Sequence, residues 1–267
     1  VTSLQDIVFR GCFGMRLFLI SFALAFVFCL PLLGQQMDFA VPGRGLLSIP
    51  AVGLEYMLVF FHEIGHTLAA WLFGIPAVPQ FDFQHGGGLS RYYDRSYILL
   101  GMIWLLFGML AVKLYNEMHY RLLIWLGIGV ALHVLFAFTR LHDIFMSFMG
   151  HGTEVLIGGF CMLRAFWNTT EKSRGATERG LNMIFGIFAQ MNNMILTAGL
   201  MMSDISRDAY GMQKGGHLQG DFDRIALSLH ISVQTVAGFL FLLSLAVFIG
   251  TVYLGLKHPP HQSHDDF

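Results

Sequence analysis

His62-Glu63-Ile64-Gly65-His66 is the stretch of this chain whose residue types and spacing can do chemistry. On a helix, residues four apart share a face, so both imidazoles can reach one metal ion while Glu63 lies beside it as a general base. The flanks, Tyr56-Met57-Leu58-Val59-Phe60-Phe61 and Thr67-Leu68-Ala69-Ala70-Trp71-Leu72-Phe73, extend an apolar run long enough to cross a bilayer. Two histidines and a glutamate at bilayer depth are costly and mark a functional site. The pattern predicts hydrolysis by a zinc-activated water inside the membrane, with Zn2+ as cofactor.

Hydrolytic zinc uses three protein ligands and keeps a fourth position open. His62 and His66 supply two, and residues 141–166 are the best donor of the third. Asp143, Ser147, His151 and Glu154 are spaced by four, four and three, which places them on one face. Glu154 is the favoured ligand. His151 is a second ligand candidate or a catalytic oxyanion stabiliser, and Asp143, nearer the end of the segment, is the weaker candidate. Gly150 and Gly152 flank His151 and leave room for a close helix approach. In a later segment Asn182, Gln190, Asn193 and Thr197 share a face. Such amides can bond an extended peptide or an oxyanion, or join helices. Glu55 lies seven residues before His62 on the same stripe, where it can support the ligands. His133 and His230 are single histidines on apolar helices and read as packing residues.

The elements that must carry these groups follow from composition. The chain is 55% hydrophobic and 12% charged, with a mean hydropathy of +0.61; soluble domains carry roughly 25% charged residues. An all-α integral membrane protein is expected, a single polytopic domain over 1–267. Runs of about 20 apolar residues give seven spans, near 15–34, 50–75, 97–115, 122–138, 141–166, 180–202 and 226–256. Between the second and third, residues 76–96 carry alternating aromatics and the triplet Gly86-Gly87-Gly88, which predicts a short extended or re-entrant segment, a hairpin turning back on itself. Residues 167–179 read as a charged loop. Residues 203–224 read as a polar loop long enough to act as a lid or docking loop. The tail, with His258, His261 and His264, reads as solvated and disordered.

A net charge of −1 gives no reason to expect nucleic acid as a partner. Cys12, Cys29 and Cys161 have no paired spacing, and Cys29 and Cys161 read as small apolar residues. Lysines and arginines divide eight to eight between the two sides of the membrane, so they set no orientation. The first apolar run lacks a small-residue cleavage site and reads as a retained span. A GTG start codon translated literally would account for Val1 and hints at a bacterial inner membrane; a processed or incomplete N-terminus accounts for it equally well.

The stretch Phe61-His62-Glu63-Ile64-Gly65-His66-Thr67-Leu68-Ala69-Ala70, followed by Leu72-Phe73-Gly74-Ile75, resembles the site-2 protease family of intramembrane zinc metalloproteases. In that family a similar helix leads into an extended segment with a glycine pair, which Phe83-Gln84-His85-Gly86-Gly87-Gly88 looks like. The resemblance covers about 30 residues. It implies zinc on His62 and His66 and water activation by Glu63. The family's later motif, an asparagine and proline before an Asp-Gly pair, is absent from this chain, while Glu154 follows His66 at about the separation of that later ligand.

The expected function is cleavage of a membrane-spanning or membrane-proximal peptide, its unwound backbone held as an added strand on the segment at 81–89. The alternative is a protease-like subunit that keeps the metal but serves a larger membrane complex. The expected partners are accordingly the lipid bilayer and either a membrane-embedded protein substrate or partner subunits. Membrane di-iron hydroxylases need paired histidines, which this chain lacks. A metal transporter fits poorly, because the acid-and-histidine site is confined to two spans.

Overall fold

The computed structural model describes residues 4–36, 44–82, 87–167, 175–212 and 219–257. The turn at Phe83-Gln84-His85-Gly86 and the tail with His258, His261 and His264 lie outside the described residues. In chain order the elements are α1 (Leu4–Gln36), α2 (Arg44–Leu72), β1 (Ala77–Asp82), β2 (Gly87–Tyr92), α3 (Tyr97–Asn116), α4 (Tyr120–Ala137), α5 (Leu141–Trp167), α6 (Gly175–Met202), α7 (Asp204–Met212), α8 (Asp221–Leu229) and α9 (Val233–Lys257).

Seven of these helices are long and apolar enough to cross a membrane, at Gly14–Gly34, Gly45–Leu72, Tyr97–Asn116, Tyr120–Ala137, Leu141–Trp167, Thr177–Met202 and Val233–Lys257. The chain is an all-α membrane protein with one small hairpin. β1 and β2 pair antiparallel, with Gln80 opposite Leu89 and Phe81 opposite Gly88. Two local expectations change. The last apolar run is broken at His230, which adopts a left-handed conformation (φ 55°) at the C-terminus of α8, so that residue is an exposed cap and not a packing histidine. The polar stretch 203–224 contains α7 and the first turn of α8.

The described chain forms two compact units, the first within residues 1–58, 154–218 and 231–267, the second within 59–153 and 219–230. In the first, small residues set the helix approaches. A Cβ at Gly186 would lie 2.6 Å from the Gly158 carbonyl oxygen, so α5 and α6 meet backbone to backbone. Phe18 stacks on Phe166 at 6.2 Å and meets Phe248 at the same centroid distance.

The second unit is built around Ala69, Ala70, Phe73, Ala77, Ala137 and Met146, with Phe136, Phe145 and Met149 packed against them. α2 ends in a Schellman turn: the Ile75 N–H donates to Ala70 O and the Gly74 N–H to Trp71 O, both at 2.9 Å. Gly74 takes φ 74°, and a Cβ there would press on Leu100. Trp71 Nε1 then donates to Ala77 O at 2.9 Å, fixing the departure of β1. His133 is the packing histidine its context predicts. Its Nε2 lies 2.8 Å from Leu72 O, Trp104 Nε1 donates to its Nδ1 at 3.3 Å, and Phe73 stacks on its ring.

Candidate metal centre

α2 carries His62, Glu63 and His66, and Ser90, Met146, His151 and Asp221, which meet this trio, belong to the same unit. Where α2 crosses α5, Gly65 faces Met149 and Thr153. A Cβ at Gly65 would lie 2.2 Å from the Met149 carbonyl oxygen, so only glycine permits this crossing. The matching position on α5 is Gly150. A Cβ there would stand 2.5 Å from both His62 Nε2 and His66 Nε2, in the space the imidazoles occupy. The glycine on either side of the crossing therefore lets the histidine pair lie flat across α5.

His66 Nδ1 lies 2.7 Å from the Met146 carbonyl oxygen, which can only accept. Nδ1 therefore carries a proton, and Nε2 is the ring nitrogen that faces His62 and Asp221. That nitrogen lies 3.0 Å from His62 Nε2. Asp221 Oδ2, from the first turn of α8, completes a triangle at 3.0 Å from His62 Nε2 and 3.1 Å from His66 Nε2. His151 borders it, its ring 4.6 Å from that of His62 and 4.9 Å from Phe222. Ligand atoms of His62, His151 and Asp221 all lie within 4.8 Å of one another. His66, His151 and Asp221 are all buried.

Burial raises the pKa of the Asp221 carboxyl, but its hydrogen bonds to His62 and His66 outweigh burial and hold it well below the usual carboxylate range. An ionised carboxylate oxygen and two imidazole nitrogens thus converge on one point, an arrangement that could hold a cation. The donor set fits a metal. Ligand atoms of a tetrahedral zinc site, with bonds near 2.0–2.1 Å, are about 3.3 Å apart, within a few tenths of the edges seen here.

Glu63 is 2% exposed and is held from the hairpin side. The Ser90 hydroxyl, on β2, donates to Glu63 Oε2 at 2.7 Å and lies 3.1 Å from the Glu63 carbonyl oxygen. Thr67 Oγ1 is 3.4 Å from Ser90 Oγ. At Gly88 a Cβ would stand 2.4 Å from Glu63 Cγ, so one of the predicted glycines gives the carboxylate its place.

Of the residues singled out in the sequence, His62, Glu63, His66 and His151 come together. Glu154 does not join the group of metal-capable side chains found among the described residues; it is buried in the other compact unit. Asp143 lies at the start of α5, beside His142 Nε2 at 3.3 Å, with its side chain 59% exposed. Asp221 was missed. It follows Gly220 in a short polar helix whose first-turn acids, Asp221 and Asp223, look like ordinary dipole partners.

Comparison with protein-family models, curated proteins and solved structures finds no match to this chain. Fold and site together define a membrane protein with a buried His-His-Asp group able to hold a metal ion.

Proposed function

We propose that this protein is an intramembrane zinc metalloprotease of the site-2 protease type, seated in a bacterial inner membrane. The observation that carries this reading is the convergence of His62 Nε2, His66 Nε2 and Asp221 Oδ2 at 3.0–3.1 Å, with a buried Glu63 next to one of the two histidines. Two imidazoles and one carboxylate are a common hydrolytic ligand set. Held there, a zinc ion would supply a Lewis acid that activates water and polarises a carbonyl.

The chain's own residues do the rest. Glu63 takes a proton from the attacking water and returns it to the leaving amine. Ser90 keeps its carboxylate aimed. His151, within reach of His62 and Asp221, donates a hydrogen bond to the developing oxyanion. β2 runs beside Glu63 through Gly88, so a substrate strand added to the hairpin would carry its backbone past the base.

Glu63→Gln tests this directly in the purified full chain, assayed on a membrane-spanning model peptide. Cleavage should fall by about 10²–10⁴-fold while bound zinc per chain stays unchanged. A variant that cleaves as fast as the parent would remove Glu63 from the mechanism, while the absence of any peptide cleavage by the parent alongside stoichiometric co-purification of partners would favour the alternative, a metal-binding subunit of a larger membrane complex.

A further inference from the structure

The first compact unit contains a polar layer that the metal chemistry does not use. Gln190 and Asn193, three apart on α6, are fully buried, and so is Ser244 on α9. The two amide nitrogens are engaged: Gln190 Nε2 donates to Val155 O at 2.7 Å and Asn193 Nδ2 to Ala189 O at 3.1 Å. Those bonds fix the orientation of both amides, so the unpartnered atoms are Gln190 Oε1 and Asn193 Oδ1. Ser244 Oγ is likewise buried and unpartnered.

Helix register brings Ser244 level with Asn193, nearly one turn of α6 from Gln190. Cβ positions built on α9 and α5 show that Gly238 faces Met201 of α6, while Val247 faces Gly159 of α5. Gly158, in turn, is level with Ala189 and Gln190. Along α9, the nine residues from Val247 back to Gly238 therefore run antiparallel beside the twelve along α6 from about Ala189 to Met201. Ser244, three residues before Val247, falls level with Asn193. Thr197 adds nothing to the deficit, since its hydroxyl donates to Asn193 O at 2.6 Å.

An unpaired polar group at bilayer depth is strongly unfavourable. Two acceptor oxygens and one hydroxyl match the valence of a single water molecule, which has two protons to donate and a lone pair to accept with. We propose that this layer is a binding site for one ordered water. It donates to Gln190 Oε1 and Asn193 Oδ1 and accepts the Ser244 proton, the three bonds typical of a buried water.

Ser244→Ala in the full chain, in lipid nanodiscs, gives opposite signs for the two possibilities. If the water is bound, the variant strands it with two bonds, and the thermal midpoint falls by about 2 °C or more. If Ser244 Oγ is unpaired, its removal relieves a buried polar group and the midpoint holds or rises, which overturns the proposal. The parent should also unfold at the same temperature in sodium, potassium and choline chloride. Stabilisation specific to one cation would assign the layer to that ion instead. Density from crystals that resolve buried waters should place one peak within hydrogen-bond distance of all three oxygens, and direct contact among the side chains with no peak would overturn the site.

Discussion

Ser90 Oγ donates to Glu63 Oε2 at 2.7 Å, which ties the second hairpin strand to the glutamate that stands between His62 and His66 in the sequence of α2. The contact joins two parts of the unit that the chain separates by 27 residues. Through this bond the hairpin sets where the carboxylate points.

Ser90→Ala should therefore reduce peptide cleavage by roughly 10-fold or more, in line with the sensitivity of such chemistry to small displacements. Metal content should not change, since Ser90 touches none of His62, His66 or Asp221. Zinc per chain and turnover, measured on the same preparation, check this. Equal loss of both would make Ser90 a structural residue, and full activity would remove it from the mechanism.

Asp221→Asn and Glu154→Gln separate the carboxylate that meets the two histidines from the one the helical stripe suggests. The first should lower metal affinity at least 10-fold, because an amide oxygen replaces a charged donor. The second should leave metal content unchanged. Elemental analysis after dialysis against a weak chelator decides; the reverse outcome would return Glu154 to the centre.

Gly150→Ala should abolish metal binding without altering any donor. The added methyl would stand 2.5 Å from both Nε2 atoms, and relieving it displaces the two imidazoles from their convergence on Asp221, at a cost of about 1–3 kcal/mol. Gly101→Ala, on α3, is the control, since nothing lies within 4 Å of its Cβ position. That variant should retain metal and be as stable as the parent or about 1 kcal/mol more so. Zinc content and thermal midpoint together read both variants.

Asp221 also makes a pH prediction for chelator-treated protein. A carboxyl whose folded pKa is depressed contributes stability above its unfolded value, about 3.9, and loses that contribution as pH falls through the lower folded value. The stability difference between the parent and Asp221→Asn should therefore hold steady from pH 7 to about 5. It should close only below about pH 4, where Asp221 takes up its proton. A difference that disappears between pH 7 and 5 would mean that the two histidines do not stabilise this carboxylate.

The membrane spans were legible because each is a run of apolar residues whose meaning is local, and the seven lie within a few residues of where hydropathy puts them. The exception is the last, where the chain turns left-handed at His230 and resumes three residues later, a break that apolar flanks conceal. Half of the centre was legible for the same reason: His62 and His66 sit on one turn of one helix. Asp221 was not, because it meets them across 159 and 155 residues and only tertiary packing brings it there. Glu154 shows the converse. Spacing placed it on one stripe with His151, but a stripe says which residues share a face and not which neighbour each one meets. Its next residue, Val155, instead offers its carbonyl to Gln190.

Gly150 gives the centre an unusual signature. A metal site is commonly recognised by the donors it gathers, yet here a missing carbon atom matters as much as any of them. Every other amino acid would press an atom on the two imidazoles and push them from where they stand. A search for kindred centres in other chains should accordingly weigh a glycine directly before a histidine on a later helix alongside the histidine–glutamate motif itself. A chain that kept every donor and lost that glycine would look competent by its ligands and would be unable to close around an ion.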